Sequence, residues 1–153
     1  MVDIRRIREE EGPAVARLWD RLGCELPGGD PMTPVELRRV EHMLSVFAWH
    51  ERAFCLVAVR EGRIVGFVNG SLSAGDGLLP GLTGEIETCY VIPRERRDGI
   101  GTALAKAALA WLRDRGASDP IRLETWLHDG PAKAFWSSLG FEPETICMTH
   151  YAT

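Results

Sequence analysis

The stretch that decides the fold is Glu85-Ile-Glu-Thr-Cys-Tyr-Val-Ile-Pro-Arg-Glu-Arg-Arg-Asp-Gly-Ile-Gly-Thr102. It starts as a strand rich in β-branched and aromatic residues, and Pro93 ends that strand. A basic turn follows over residues 94–97. Gly99 and Gly101 then open a helix in which Ile100, Ala103, Leu104, Ala107, Ala108, Trp111 and Leu112 keep i, i+3, i+4 order. Gly116 stops it. The first N–H groups of a helix lack intrahelical partners, and the helix dipole favours negative charge beside them. Glycines let a phosphate approach the backbone, and Arg96 and Arg97 can add charge-assisted hydrogen bonds. The two glycines alone also fit a capped helix start beside solvated arginines.

Two phosphate-binding fingerprints are excluded. A dinucleotide motif needs a third glycine where Leu104 stands, and no G-x-x-x-x-G-K-[ST] string occurs.

Upstream, residues 2–7 form a short candidate strand. A helix follows, with Pro13 in its first turn, Val15, Leu18, Trp19 and Leu22 on one face, and Gly23 as its stop. Residues 24–32 form a Pro/Gly-rich loop. Thr33-Pro-Val-Glu36 is a capping box, opening a helix whose buried face is Val40, Met43, Leu44, Phe47 and Ala48. Strands over 54–59 and 64–72 meet as a hairpin at Glu61-Gly62. A glycine-rich loop over 73–84 leads into the strand at 85–92. Downstream, residues 121–127 alternate as a strand, and a helix from Pro131 buries Ala132, Phe135, Trp136 and Leu139 and stops at Gly140. A last strand lies within 144–151. The order β-α-α-β-β-β-α-β-α-β specifies an α/β fold, a mixed sheet with helices on its faces.

No repeat or linker divides the 153 residues, which read as a single domain over 1–153. No apolar run reaches the length of a membrane span, and the charged first residues lack the apolar core of a signal peptide. A cytoplasmic protein with no membrane partner is expected. The net charge of −4 argues against a nucleic-acid partner. The cysteines (Cys24, Cys55, Cys89, Cys147) form no CxxC pair and read as reduced thiols. His42, His50, His128 and His150 have no Cys, Asp or Glu at ligand spacing, so no metal is expected.

Arg96-x-x-Gly99-x-Gly101, after Tyr90-Val-Ile-Pro93 and before Thr102-Ala-Leu104, resembles the acyl-CoA-binding motif of the GNAT (Gcn5-related N-acetyltransferase) superfamily. The segment Asp129-Gly-Pro-Ala-Lys-Ala-Phe-Trp136-Ser-Ser-Leu-Gly-Phe141 resembles that family's second signature, N-x-x-A-x-x-x-Y-x-x-x-G-F. The order of elements matches over essentially the whole chain. The resemblance implies an acetyl-CoA-dependent N-acetyltransferase acting by direct attack of a primary amine, most simply one on a small molecule. An enzyme for protein amines and a non-catalytic acyl-CoA sensor are the other readings.

The same resemblance places the pyrophosphate on the amides of Arg97, Asp98, Gly99, Ile100, Gly101 and Thr102. The pantetheine arm would pair with the backbone of Cys89, Tyr90 and Val91, where their strand splays from the one beginning near Ile121. Asp129 and Lys133 fall on the cofactor's far side. Family members carry a catalytic carboxylate at the position of Glu85 or Glu87. Period-2 alternation sets both on one strand face with Cys89 and Val91. Glu87 is placed first, because Glu85 adjoins Gly84. The oxyanion donor would be a strand amide near Cys89 or Tyr90. Cys89 itself reads as a packing residue.

Trp136 departs from the family pattern, which has a tyrosine there to protonate the leaving sulfur. An indole N–H donates a hydrogen bond but no proton. A thiolate, with a thiol pKa of about 8.5, leaves tolerably unaided. Ser137, Cys147 and Tyr151 are candidate substitutes for that acid, each of which reads first as a structural residue. The acceptor would be walled by the loops over 23–32 and 73–84, with Asp20, Glu25, Asp30 and Asp76 available to a cationic substrate. The short C-terminus leaves a sheet edge, and a homodimer through the last strand is expected.

Overall fold

Glu61 and Gly62, with φ of 51° and 75°, turn the chain between two long antiparallel strands. Such paired positive φ values match the right-handed twist of the strands they join. The computed structural model describes residues 1–74 and 81–153. Around this hairpin, β2 (Ala53–Arg60) and β3 (Arg63–Ser73), the other strands are β1 (Asp3–Arg6), β4 (Leu82–Val91) and β5 (Ala117–Leu123). The sheet order is β1-β2-β3-β4-β5, antiparallel throughout except for the parallel β4–β5 pair. The helices are α1 (Gly12–Glu25), α2 (Pro34–Val46), α3 (Ile100–Asp114) and α4 (Gly130–Ser138). Residues Glu9–Glu11 and Pro93–Glu95 form single 3-10 turns.

The chain divides into two compact units, Met1–Leu123 and Glu124–Thr153. The first holds the whole sheet. Alternation along β3 separates its faces: Phe67 stacks on Trp19 of α1 at 5.7 Å, while a side chain at Gly66 would touch Leu104 of α3. Phe54 meets Trp111 of α3 at 4.4 Å. Helices therefore cover both faces, and Phe54, Phe67, Val68, Ile86, Leu104 and Leu112 form the buried centre.

The capping box forms as expected. Glu36 N–H donates to Thr33 Oγ1 at 3.3 Å, and Thr33 N–H to Glu36 Oε2 at 2.8 Å. Of the expected inner face of α2, only Leu44 is fully buried.

Two strand expectations are corrected. The strand placed over 121–127 runs instead over Ala117–Leu123, and Trp126 and Leu127 are exposed. Pro120 lies inside β5, which is an edge strand, where a missing N–H is tolerated. No strand forms over 144–151, and Ile146, Met148 and Tyr151 are exposed. Propensity favours extended backbone there but supplies no pairing partner. The edge on which the expected homodimer rested is thus not formed by a single chain.

Gly70 answers to close packing. A Cβ there would lie 2.3 Å from the Glu85 carbonyl oxygen and 2.9 Å from the Phe54 ring. Gly70→Ala is expected to cost about 1–3 kcal/mol, the usual scale of overpacking, read by chemical denaturation. An unchanged midpoint would show that β4 moves aside freely.

Among the described residues no helix is long and apolar enough to cross a membrane.

Candidate active site

β4 carries the site, and a bulge shapes it. Asn69 of β3 pairs with Thr88 and Gly70 with Ile86, so Glu87 is the extra residue with no partner opposite. The expected single face is corrected here. Glu85 lies opposite Ser71, and Glu87 reaches Asn69 and Ser71, on the face that α1 covers. Cys89 and Val91 lie opposite Val68 and Gly66, on the α3 face. Strict alternation holds only until a bulge inserts one residue. The two carboxylates stay together, and the cysteine moves behind them.

Glu87 is exposed, and each of its oxygens takes one hydrogen bond from β3. Asn69 Nδ2 donates to Oε2 at 3.2 Å and Ser71 Oγ to Oε1 at 3.2 Å. Glu85 is also exposed, beside Arg122 in the β5 register. Burial pushes the Cys89 thiol up to about 12, which suits a packing residue rather than a nucleophile.

The last β4–β5 pair is Ile86 with Leu123. Beyond it, residues 87–91 of β4 have no strand partner on that side among the described residues, leaving an edge of backbone donors and acceptors. An extended amide-bearing chain can pair with such an edge.

At the head of α3, Arg97 and Gly99 adopt left-handed φ values of 67° and 79°. Among the described residues no side chain caps the helix, and its first backbone bond runs from Ala103 N–H to the Gly99 carbonyl. The amides of Ile100, Gly101 and Thr102 are therefore left to solvent or ligand. These features fit a pyrophosphate.

The flanking charges are arranged unevenly. Arg96 donates to the Val91 carbonyl at 2.8 Å, pairs with Glu25 at 3.1 Å and lies over the Tyr90 ring at 5.3 Å. It braces the end of β4. Burial first raises the Tyr90 phenol above its ordinary value, and the Glu25 carboxylate adds to this without closing a hydrogen bond. Arg97 is exposed and shows no ion pair among the described residues. Asp98 is held at 2.6 Å by Arg60, which also grips Glu95 at 2.6 Å. Arg60, at the far end of β2, thus clamps the turn on both sides of Arg96 and Arg97. Nothing in its sequence surroundings marks it. Asn69 leaves a trace, a lone amide in the apolar run Phe67-Val-Asn-Gly-Ser-Leu72.

Of the acids offered to a cationic acceptor, Asp20 accepts from Met32 N–H at 2.8 Å and so ties down its own loop. Glu25 is taken by Arg96, Asp30 is exposed, and Asp76 lies outside the described residues, as do residues 75–80 of the 73–84 loop. In the second unit, Asp129 caps α4 by accepting from Ala132 N–H at 3.0 Å. Aspartate serves there as asparagine would. Lys133 is exposed, and Trp136 meets Phe135 and Phe141 edge-on at 4.8 and 5.4 Å. Among the described residues no His/Cys/Asp/Glu group could hold a metal, and all four cysteines are free.

A mixed sheet with an open β4 edge and an uncapped, glycine-opened helix beside it is the frame of an acyl-CoA N-acyltransferase. The profile of the Acetyltransferase (GNAT) family matches residues 15–141, and the chain belongs to that family. An aminoglycoside N(6')-acetyltransferase type 1 of Stenotrophomonas maltophilia is 31% identical over 141 residues, 85% of this chain and 82% of that protein. An N-alpha-acetyltransferase of Sulfurisphaera tokodaii is 29% identical over 118 residues, 74% of this chain and 68% of that protein. An aminoglycoside N-acetyltransferase crystallised with CoA superposes with a TM-score of 0.78 at 19% identity, covering 100% of this chain and 95% of that one. The protein is an acetyl-CoA-dependent N-acetyltransferase, with acetyl-CoA as its acetyl donor.

Proposed function

We propose that the chain is one acyltransferase domain that moves the acetyl group of acetyl-CoA to the primary amine of a small molecule, with Glu87 as general base. The supporting observation is the position of Glu87. It is the first residue past the last β4–β5 pair, with an exposed carboxylate beside the free strand edge. In this reading the Glu87 carboxylate takes a proton from the incoming ammonium. The amine nitrogen then bonds to the thioester carbonyl carbon, the C–S bond breaks, and the proton that the acylated nitrogen sheds ends, by way of solvent, on the departing thiolate. Backbone amides near Cys89 and Tyr90 hold the developing oxyanion. The amides from Arg97 to Thr102 hold the pyrophosphate, with Arg97 as the nearest uncommitted charge. Asp129, Lys133 and Trp136 remain assigned to the cofactor side by resemblance.

A small acceptor is favoured by the relative named for aminoglycoside acetylation, and a protein amine by the relative named as an N-alpha-acetyltransferase. Incubation with acetyl-CoA and an aminoglycoside, an amino-acid ester, spermidine or a basic peptide, followed by free-thiol release, separates these readings. Release with the peptide alone overturns the small-molecule assignment. Acetyl-CoA binding with no release for any amine points to a sensor.

Trp136→Tyr is expected to keep turnover within about tenfold of the parent, because the thiolate leaves without a protonated phenol. A large gain, growing with pH until the phenol ionises, would mean that the natural chain lacks a needed acid. A homodimer is also proposed, through the exposed Ile146, Met148 and Tyr151. A monomer by light scattering at micromolar concentration overturns it.

A further inference from the structure

We infer that Asn69, seconded by Ser71, is a positioning residue that fixes the Glu87 carboxylate for proton abstraction; this rests on Glu87 being the base. Asn69 is the one fully buried polar side chain among the described residues, at 0% exposure. A buried amide is costly unless its polar atoms are paired. Here only one end is paired: Nδ2 donates to Glu87, while Oδ1 has no partner among the described residues. An unpaired buried carbonyl is a standing cost, and an apolar residue would remove it. On that face Phe67, two residues back, and Cys55, opposite on β2, are fully buried and apolar, so the core there accepts such residues. What the amide supplies is a donor beneath an exposed carboxylate. Its orientation is fixed by chemistry, since an ionised carboxylate only accepts and the NH₂ end must face it.

The bulge explains why the contact exists. In a regular ladder Ser71 faces Glu85, and Asn69 would face Glu87. The extra residue instead sets Thr88 opposite Asn69 and pushes Glu87 between Asn69 and Ser71. One donor on each oxygen then holds the carboxylate in one plane. The remaining lone pairs of both oxygens are left for an incoming ammonium or a bridging water. Ser71 lies opposite Glu85 yet donates to Glu87.

The test is a double-mutant cycle with the best acceptor from the amine panel. Asn69→Leu keeps the volume roughly and removes the donor; it is expected to lower kcat by roughly tenfold, on the scale of a misplaced reacting group. KM for acetyl-CoA should not move. Ser71→Ala is expected to give a smaller loss of the same kind. In the Glu87→Gln background neither substitution should slow the enzyme further, because each acts through the missing carboxylate. Additive losses in that background, with Glu87→Gln itself slow, overturn the inference and leave the base assignment standing. A Glu87→Gln enzyme at the parent rate overturns the base assignment and the inference with it. Should Asn69→Leu fail to fold, by loss of the acetyl-CoA-induced thermal shift, Ser71→Ala carries the cycle alone. Additivity there is decisive against the proposal.

Discussion

Glu87→Gln is expected to lower kcat by roughly 10²-fold or more, the scale on which a general base contributes. The amide keeps the size of the side chain and can still meet Asn69 and Ser71, but it cannot take a proton from an ammonium. Acetyl-CoA binding should barely change, since the side chain faces the α1 side and the proposed cofactor contacts are backbone groups. Glu85→Gln should cost less. Glu85 precedes the bulge and pairs in register with Arg122 of β5, whereas Glu87 stands where that pairing ends. The measurements are kcat at saturating concentrations of both substrates and the acetyl-CoA-induced shift in thermal midpoint. A larger loss for Glu85→Gln at neutral and at high pH would reverse the order of the two carboxylates.

The two carboxylates also show how far the sequence could be read. The hairpin at Glu61-Gly62, the Thr33–Glu36 capping box and the glycine-opened α3 each follow from local signals, and each forms. Their physics lies within a few residues of chain. The bulge at Glu87 is different in kind. It is a mismatch between two strands, visible only when Asn69 finds Thr88 and Gly70 finds Ile86. Counting by twos along β4 alone therefore put Cys89 and Val91 on the wrong face. Alternation over 121–127 misplaced β5 for a related reason: the strand begins before Pro120, which an edge strand tolerates, and sequence does not say which strand is the edge. Asp129 shows the opposite case. It stands where the family signature has asparagine, and as the cap of α4 it does what asparagine would. Arg60 was invisible. Its role comes from 35 and 38 residues away, through Glu95 and Asp98.

Gly101→Val is expected to abolish most of the stabilisation that acetyl-CoA confers, and the choice of glycine matters. Gly99 adopts a left-handed φ, so a side chain there strains the backbone whatever it does to a ligand. Gly101 is not among the positive-φ glycines and sits inside the first turn of α3. Valine is no worse than glycine as a helix former, so the apo protein should melt near the parent temperature. Its branched side chain would instead stand beside the uncapped amides of Ile100, Gly101 and Thr102 and hold a pyrophosphate away. A ligand at 100 times its Kd stabilises the folded state by about 2.7 kcal/mol, and the shift in midpoint reports that quantity. The parent should show it with acetyl-CoA and much less of it with equal NAD or ATP; Gly101→Val should show little with any of them. Arg60→Ala, far from the motif in sequence, should weaken acetyl-CoA several-fold by releasing Glu95 and Asp98 on both sides of the turn. Arg113→Ala breaks an exposed pair with Asp119 at the other end of α3 and should leave the shift intact. A full acetyl-CoA shift in Gly101→Val would remove the helix start from the binding site. An Arg60→Ala shift equal to that of Arg113→Ala would reduce the clamp to a surface ion pair.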